Sequence, residues 1–145
     1  MHIGIPKETR DGETRVAATP ETVKKYVGGK HTVVVERGAG SAARYLDDAY
    51  EAAGATLGTA QDALGAELVM KVRAPSPAEL PQMKSGTIVI GMLDPFDAEG
   101  LQQMAGAGLV GFALEAAPRI TRAQSLDVLS SQANLAGYKA CLLYT

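Results

Sequence analysis

The sequence predicts an α/β protein: a three-layer, mostly parallel sheet with helices on both faces, followed by one long C-terminal helix. Three observations predict it. Short β-branched runs such as Thr32-Val33-Val34-Val35 have the apolar continuity of strands covered on both sides. Between them lie helix-start signals on short connections, a rhythm that returns the chain across a parallel sheet. After Pro118, a polar run feeds one extended segment whose apolar positions fall three and four apart.

In chain order, His2 to Ile5 is a brief strand stopped by Pro6, which lacks the next ladder donor. Residues 7–16 form a charged loop. Thr19-Pro20-Glu21 combines an N-cap, a proline at the first helical position and an acid in the first turn, and Gly28-Gly29 closes that helix. Val23, Tyr26 and Val27 face inward on it. His31 to Glu36 is the next strand. Asp48 to Glu51 has capping-box spacing with Gly54 as the stop, and Ala55 to Leu57 is a short strand. A weak helix near Gln61 to Leu64 precedes a strand from Glu67 to Val72. Ser76-Pro77-Ala78-Glu79 then reads as a strong helix start. Thr87 to Leu93 is a strand, Asp97 opens a helix through Met104, and Leu109 to Leu114 closes a sheet of five to six strands. In the last segment Leu126, Leu129, Ala133, Ala136, Ala140 and Leu143 make one stripe, which predicts a tight helix contact rather than a surface helix.

Composition narrows the function. At 145 residues the chain suits one domain. A net charge of −2 gives no electrostatic case for nucleic acid or an anionic membrane surface. The lone Cys141 forms no internal disulfide, reads as a small core residue, and fits a reducing compartment. No apolar run approaches the roughly 18 residues of a membrane helix, and the N-terminus lacks a signal-peptide layout.

Ligands of parallel sheets gather beyond the carboxyl ends of the strands. Lys71, Asp94, Glu115 and the loop after Ile5 lie there in this reading. Lys71 and Arg15 are candidates for binding a carboxylate or phosphate, against a snorkelling lysine and a solvated loop arginine as the plain alternatives. Gly38-Ala39-Gly40-Ser41-Ala42-Ala43 matches a dinucleotide-binding pattern, but Glu36 and Arg37 separate it from its strand and no acid follows the next strand. A turn packed with small residues explains it better, so the chain is expected to lack a dinucleotide fold of its own. His2 and His31 sit at strand starts, and neither a Ser-His-acid trio nor a metal-ligand cluster is visible.

The run from Pro118 through Tyr138, Pro-Arg-Ile-Thr-Arg-Ala-Gln-Ser-Leu-Asp-Val-Leu-Ser-Ser-Gln-Ala-Asn-Leu-Ala-Gly-Tyr, closely resembles a loop and helix of the NAD(H)-binding component of proton-translocating NAD(P) transhydrogenases. Ile-Gly-Ile-Pro-Lys-Glu-Thr and Gly-Glu-Thr-Arg-Val-Ala-Ala-Thr-Pro-Glu-Thr-Val resemble the start shared with alanine dehydrogenases. The resemblance implies a flavodoxin-like domain over residues 1–120, with 121–145 beginning the helix that leads to a Rossmann NAD-binding domain absent from this chain. It implies hydride transfer between NADH and NADP⁺ coupled to proton translocation, with this portion lining the nicotinamide site. The family's loop is named for an arginine, a glutamine and an aspartate, which match Arg119, Gln124 and Asp127; Ser130 matches a nicotinamide-site serine. Gln124 and Asp127 would align the ring, with all four binding the cofactor. A homodimer is implied, as are partner domains that hold NADP(H) and cross the membrane, on whose cytoplasmic face this portion would sit.

Three other readings stay open at this level. The polar residues also suit a helix cap, since Thr121 and Gln124 have capping-box spacing and Asp127 would gain from the helix dipole. Alanine dehydrogenase is the rival family: Arg15 and Lys71 match positions that bind its oxo acid, but Asp94-Pro95 stands where it places a catalytic histidine. A non-catalytic dimerisation or binding module is the third. The final Cys-Leu-Leu-Tyr-Thr departs from the family and stops where its helix continues.

Overall fold

The computed structural model describes residues 1–118 and 120–144, without the side chains at 126 and 144. Six strands form one sheet: β1 (His2–Ile5), β2 (Thr32–Glu36), β3 (Thr56–Gly58), β4 (Leu68–Arg73), β5 (Ile88–Met92) and β6 (Val110–Ala113). Every pairing is parallel, in the order β3-β2-β1-β4-β5-β6. With the three-residue β3 set aside as an addition to the edge, the order is 2-1-3-4-5, the flavodoxin-like arrangement. The direction of travel reverses between β1 and β4. Such a reversal opens a crevice at the carboxyl ends.

Helices α1 (Pro20–Gly28) and α2 (Asp47–Ala52) pack on one face, where Val23 and Tyr50 close over Ile3, Ile5, Val33 and Val35. Helices α3 (Ala60–Leu64) and α4 (Ala98–Gly106) lie on the other, where Leu64 and Met104 join Val69, Val89 and Leu93. Thr19 caps α1, and Thr59 with Asp62 forms a complete capping box on α3.

The glycine pattern after β2 is structural. Gly38 has a φ of 74° and donates its N–H to Asp47, while a Cβ at Gly40 would sit 2.7 Å from the Tyr50 ring. Tyr50 is fully buried and its hydroxyl donates to the Ala18 carbonyl at 2.9 Å; burial pushes its pKa up to about 12. Tyr50→Phe leaves that carbonyl unpaired and is expected to lower stability by about 1–2 kcal/mol in urea unfolding.

Four expectations are corrected. Ser76–Glu79 starts no α-helix: the Glu79 carboxylate does accept the Ser76 N–H, but Pro81 has no donor to continue the helix, and only a 3-10 turn over Leu80–Gln82 forms. Asp48 does not cap α2, which begins after Leu46 with no side-chain cap. Thr121 and Gln124 form no capping box; Thr121–Leu126 is a 3-10 stretch, and α5 runs over Val128–Tyr144. The stripe on α5 is not buried: Leu129 is 42% and Leu143 76% exposed, Ala133, Ala136 and Ala140 are exposed, and so is Cys141. Within this chain, α5 leans on the 3-10 turn Leu114–Ala116 and projects outward.

Candidate functional site

At the carboxyl ends of β1, β4 and β5 a cleft of 470 Å³ opens, walled by Arg15, Tyr45, Lys71, Gly91, Val128 and Gln132, among others. Smaller hollows of 340 Å³ and 240 Å³ adjoin it on the side of Arg10 and Arg73. A larger depression of 700 Å³ lies beside His2, Thr32 and Thr56 at the amino ends. The crevice rule and the clustered charge both favour the carboxyl-end cleft.

The loop after β1 reaches the cleft through two glutamates. Glu13 grips Arg15 in a two-pronged pair, receiving Nε at 2.7 Å and Nη2 at 2.6 Å, and also receives Arg73 Nε at 3.1 Å. The Arg15 hydrogen bonds hold the Glu13 carboxyl down at about 2, and Glu13 in turn raises the Arg15 guanidinium. Arg15 Nη1 donates to Gln132 on α5 at 2.8 Å. Arg15 is therefore a strut between the loop and α5, held by a carboxylate rather than simply solvated.

A glutamate whose folded pKa is depressed contributes stability that is full above its ordinary value of 4.5 and fades as pH falls through about 2. The stability difference between wild type and Glu13→Gln is thus expected to be flat above about pH 5 and to shrink steadily between about 4.5 and 2. Denaturant titrations at stepped pH check it.

Lys71 is only 3% exposed. Its Nζ donates to Glu79 at 2.6 Å and lies 3.8 Å from Glu8, so it does not snorkel. Beside it β4 slips register between Met70 and Arg73, and Glu8 takes the freed N–H groups of Val72 at 2.6 Å and Arg73 at 3.4 Å. Burial raises the Glu8 pKa, with Lys71 pulling the other way. Gly91 belongs to the same arrangement, because a Cβ there would strike the Lys71 carbonyl. A glycine inside a strand run signals such close approach, and this one was readable in the sequence.

After β5, Asp94 adopts a φ of 52° and its N–H donates to Glu115 at 2.7 Å, while the other Glu115 oxygen is buried with no partner among the described residues. At the start of α5, Asp127 accepts the Ser130 N–H at 2.9 Å and the Ser130 hydroxyl at 2.6 Å. That is an N-cap. Ser130 and Gln124 are exposed, and the Gln124 side chain makes no hydrogen bond to a described residue. Val128 and Leu129, on the same turn, line the main and the smallest hollow. Gln124, Asp127 and Ser130 thus lie in a segment bordering the cleft; Arg119 lies outside the described residues.

Glu8, Glu13 and Gln132 escaped the sequence reading, and Glu79 was read there only as part of a helix start. Both histidines are at the opposite, amino ends of their strands, His2 opening β1 and His31 preceding β2. Among the described residues no cluster of His, Cys, Asp or Glu could hold a metal ion, and no helix is long and apolar enough to cross a membrane.

Residues 4–136 match the family described as alanine dehydrogenase/PNT, N-terminal domain. The chain is 45% identical to the first part of the NAD(P) transhydrogenase alpha subunit of Rhodospirillum rubrum, over 98% of its own length and 39% of that protein. It superposes on the crystal structure of a transhydrogenase from Sinorhizobium meliloti with a TM-score of 0.94 and 52% identity, covering 98% of this chain and 43% of that one. On an L-alanine dehydrogenase the TM-score is 0.77 at 37% identity, over 79% of this chain and 32% of that one. The chain spans about two-fifths of the length of the Rhodospirillum rubrum relative.

Proposed function

The chain belongs to the alanine dehydrogenase/PNT N-terminal domain family, and on that premise we propose that it is the N-terminal portion of an NAD(P) transhydrogenase alpha subunit, lining the nicotinamide site. The observation that carries the choice is the placing of imidazole. Reducing an oxo acid to an amino acid needs a group that moves protons near neutral pH, and both histidines are at the far end of the sheet from the cleft. The cations of the cleft wall argue the same way. Arg15 is gripped by Glu13, and Lys71 is flanked by Glu79 and Glu8, so an oxo-acid carboxylate would compete with groups already in place.

The donor set fits a nicotinamide carboxamide. Gln124 offers an amide donor and acceptor together, and it is exposed. The Ser130 hydroxyl donates to Asp127, which leaves its oxygen able to accept from the carboxamide. Asp127 acts through Ser130 and the cap, fixing where α5 begins. Arg119 belongs to the same proposed set. When bound, the reduced coenzyme supplies the hydride, and transfer to a second nicotinamide asks the protein for alignment rather than acid or base. In this reading NADP(H) sits on a partner domain, proton translocation belongs to a membrane domain, and the subunit is a homodimer on the cytoplasmic face.

The test joins this chain to the remaining sequence of the Rhodospirillum rubrum relative and adds its NADP-binding partner. Hydride transfer from NADH to an NADP⁺ analogue is expected, without reductive amination of pyruvate. The opposite pattern would return the chain to the dehydrogenase reading.

A further inference from the structure

Phe96 is 93% exposed, more than any other large apolar side chain among the described residues. Single apolar residues on a surface need no special reason. The turn that carries this one sets it apart. The Asp97 N–H donates to the Asp94 carbonyl at 3.0 Å, closing residues 94–97 into a four-residue turn with Pro95 second, where a fixed φ suits it. Before Phe96, Asp94 is held at a φ of 52° while its N–H donates to Glu115 at 2.7 Å. After it, the Asp97 carboxylate accepts the Glu99 N–H at 3.2 Å and caps α4. Clamped on both sides, the backbone has little freedom to fold the ring back, and an aromatic is held out in solvent.

Its place ties it to the reaction. Phe96 borders the 240 Å³ hollow together with Asp94, Glu115 and, from the start of α5, Leu129. Asp127 and Ser130 flank Leu129 on the capped first turn of that helix. Direct transfer between two nicotinamides requires reacting atoms about 3–3.5 Å apart. The domain that carries the second ring therefore has to rest on the side chains around this opening. Charge points the same way: Asp94, Asp97 and Glu99 are all exposed beside Phe96, whereas the cations of the hollow, Arg10 and Arg73, come from the loop after β1 and the end of β4. A cationic, oxidised nicotinamide on a domain with a basic rim complements that acidic turn.

We propose that Phe96 is an anchor for the NADP-binding partner domain, seated in an apolar pocket of that domain with basic residues around it. The inference rests on the transhydrogenase reading and goes beyond it by naming where the partner lands. Aromatic side chains in fixed positions carry much of an interface's energy at low ordering cost. The remainder of this subunit fits less well as the occupant. The carboxyl ends around Phe96 form the opening through which the second ring has to enter, and covering them would keep it out.

The test titrates the chimeric subunit, completed from the Rhodospirillum rubrum relative, with its NADP-binding partner and reads association as well as turnover. Phe96→Ser is expected to weaken association about tenfold or more while leaving NADH affinity within about twofold. Hydride transfer should fall at limiting partner and recover at a saturating amount. Lys84→Ala, at the amino ends beside the largest depression, should change association less than about twofold. Association should weaken as salt is raised, and less steeply in Asp94→Asn, a residue that also tolerates positive φ. In a Cys141→Ser background with no other cysteine, the Phe96→Cys thiol should alkylate freely in the completed subunit and about tenfold more slowly once the partner is bound. Circular dichroism checks that each variant is folded. A thiol protected before the partner is added would assign Phe96 to the remainder of the subunit. A parallel loss of NADH affinity would make it a coenzyme contact, and association equal to wild type would make it ordinary surface; each overturns the proposal. Failure of the transhydrogenase reading looks different, because the unaltered subunit then binds no partner, and the proposal falls with it.

Discussion

Replacing Lys71 with methionine is expected to lower the unfolding free energy by about 3–5 kcal/mol at pH 7.5, the effect of stripping one partner from a buried ionic group. The ammonium is inside β4 with its charge met by Glu79 at 2.6 Å and Glu8 at 3.8 Å. Methionine fills a similar volume, so the loss reports charge rather than a cavity. Two carboxylates would then face each other in a dry site with the cation between them gone. Glu8 is already raised by burial, and Lys71 is the foremost of the groups that pull it down, ahead of the Val72 and Arg73 N–H groups. The sign follows: a carboxyl whose folded pKa lies above its unfolded value destabilises the fold as pH rises past that unfolded value, and the burden lifts on acidification. The deficit of Lys71→Met against wild type is therefore expected to be smaller at pH 5 than at pH 7.5. Adding Glu79→Leu should recover part of it, though not all, because Glu79 also receives the Ser76 N–H. A deficit that is the same at both pH values would show that packing, not charge, holds this strand end together. The same triad anchors the loop after β1, through the two backbone donors that Glu8 collects at the β4 bulge. Stability and site geometry are consequently coupled at Lys71.

What the sequence displays is what one segment decides alone. β-Branched runs, Thr19-Pro20-Glu21 and the Gly28-Gly29 stop specify β1, α1 and β2 within a residue or so of where they form. The failures share a physical cause: the deciding partner is far away in the chain. Glu79 reads as the acid of a capping box and does bind Ser76, but it also reaches back to Lys71, and Pro81 closes the helical option. Asp47 turns to Gly38 rather than working at the start of α2 as the spacing of Asp48 suggested. Glu8 and Glu13 sit in what reads as a solvated charged loop, and nothing local says that they meet residues some sixty positions away. The α5 stripe was legible as an apolar face, but its burial was not, since no described part of this chain covers it. In the candidate site, Lys71 was legible as a cation at a strand end and Arg15 as one in the first loop; the carboxylates that hold them were not.

Gln124→Ala, in the chimeric subunit completed with its NADP-binding partner, is expected to slow hydride transfer about 100-fold while changing NADH affinity less than about threefold. Gln124 is exposed and engages no described side chain, so the variant should unfold within about 0.5 kcal/mol of wild type. An amide that only tethered the carboxamide would contribute equally before and during transfer, and its loss would appear in affinity alone. An amide that fixes the ring's rotation leaves most binding surface intact, and its loss appears in the rate. Asp127→Ala separates the structural share: removing the cap on Ser130 should reduce stability by about 1 kcal/mol and also slow transfer, because the start of α5 then frays. If Gln124→Ala instead weakens affinity and rate by the same factor, the glutamine is a binding contact and alignment must come from elsewhere in the cleft. If neither changes, the 3-10 stretch is a connector, and the polar start of α5 is simply a capped helix.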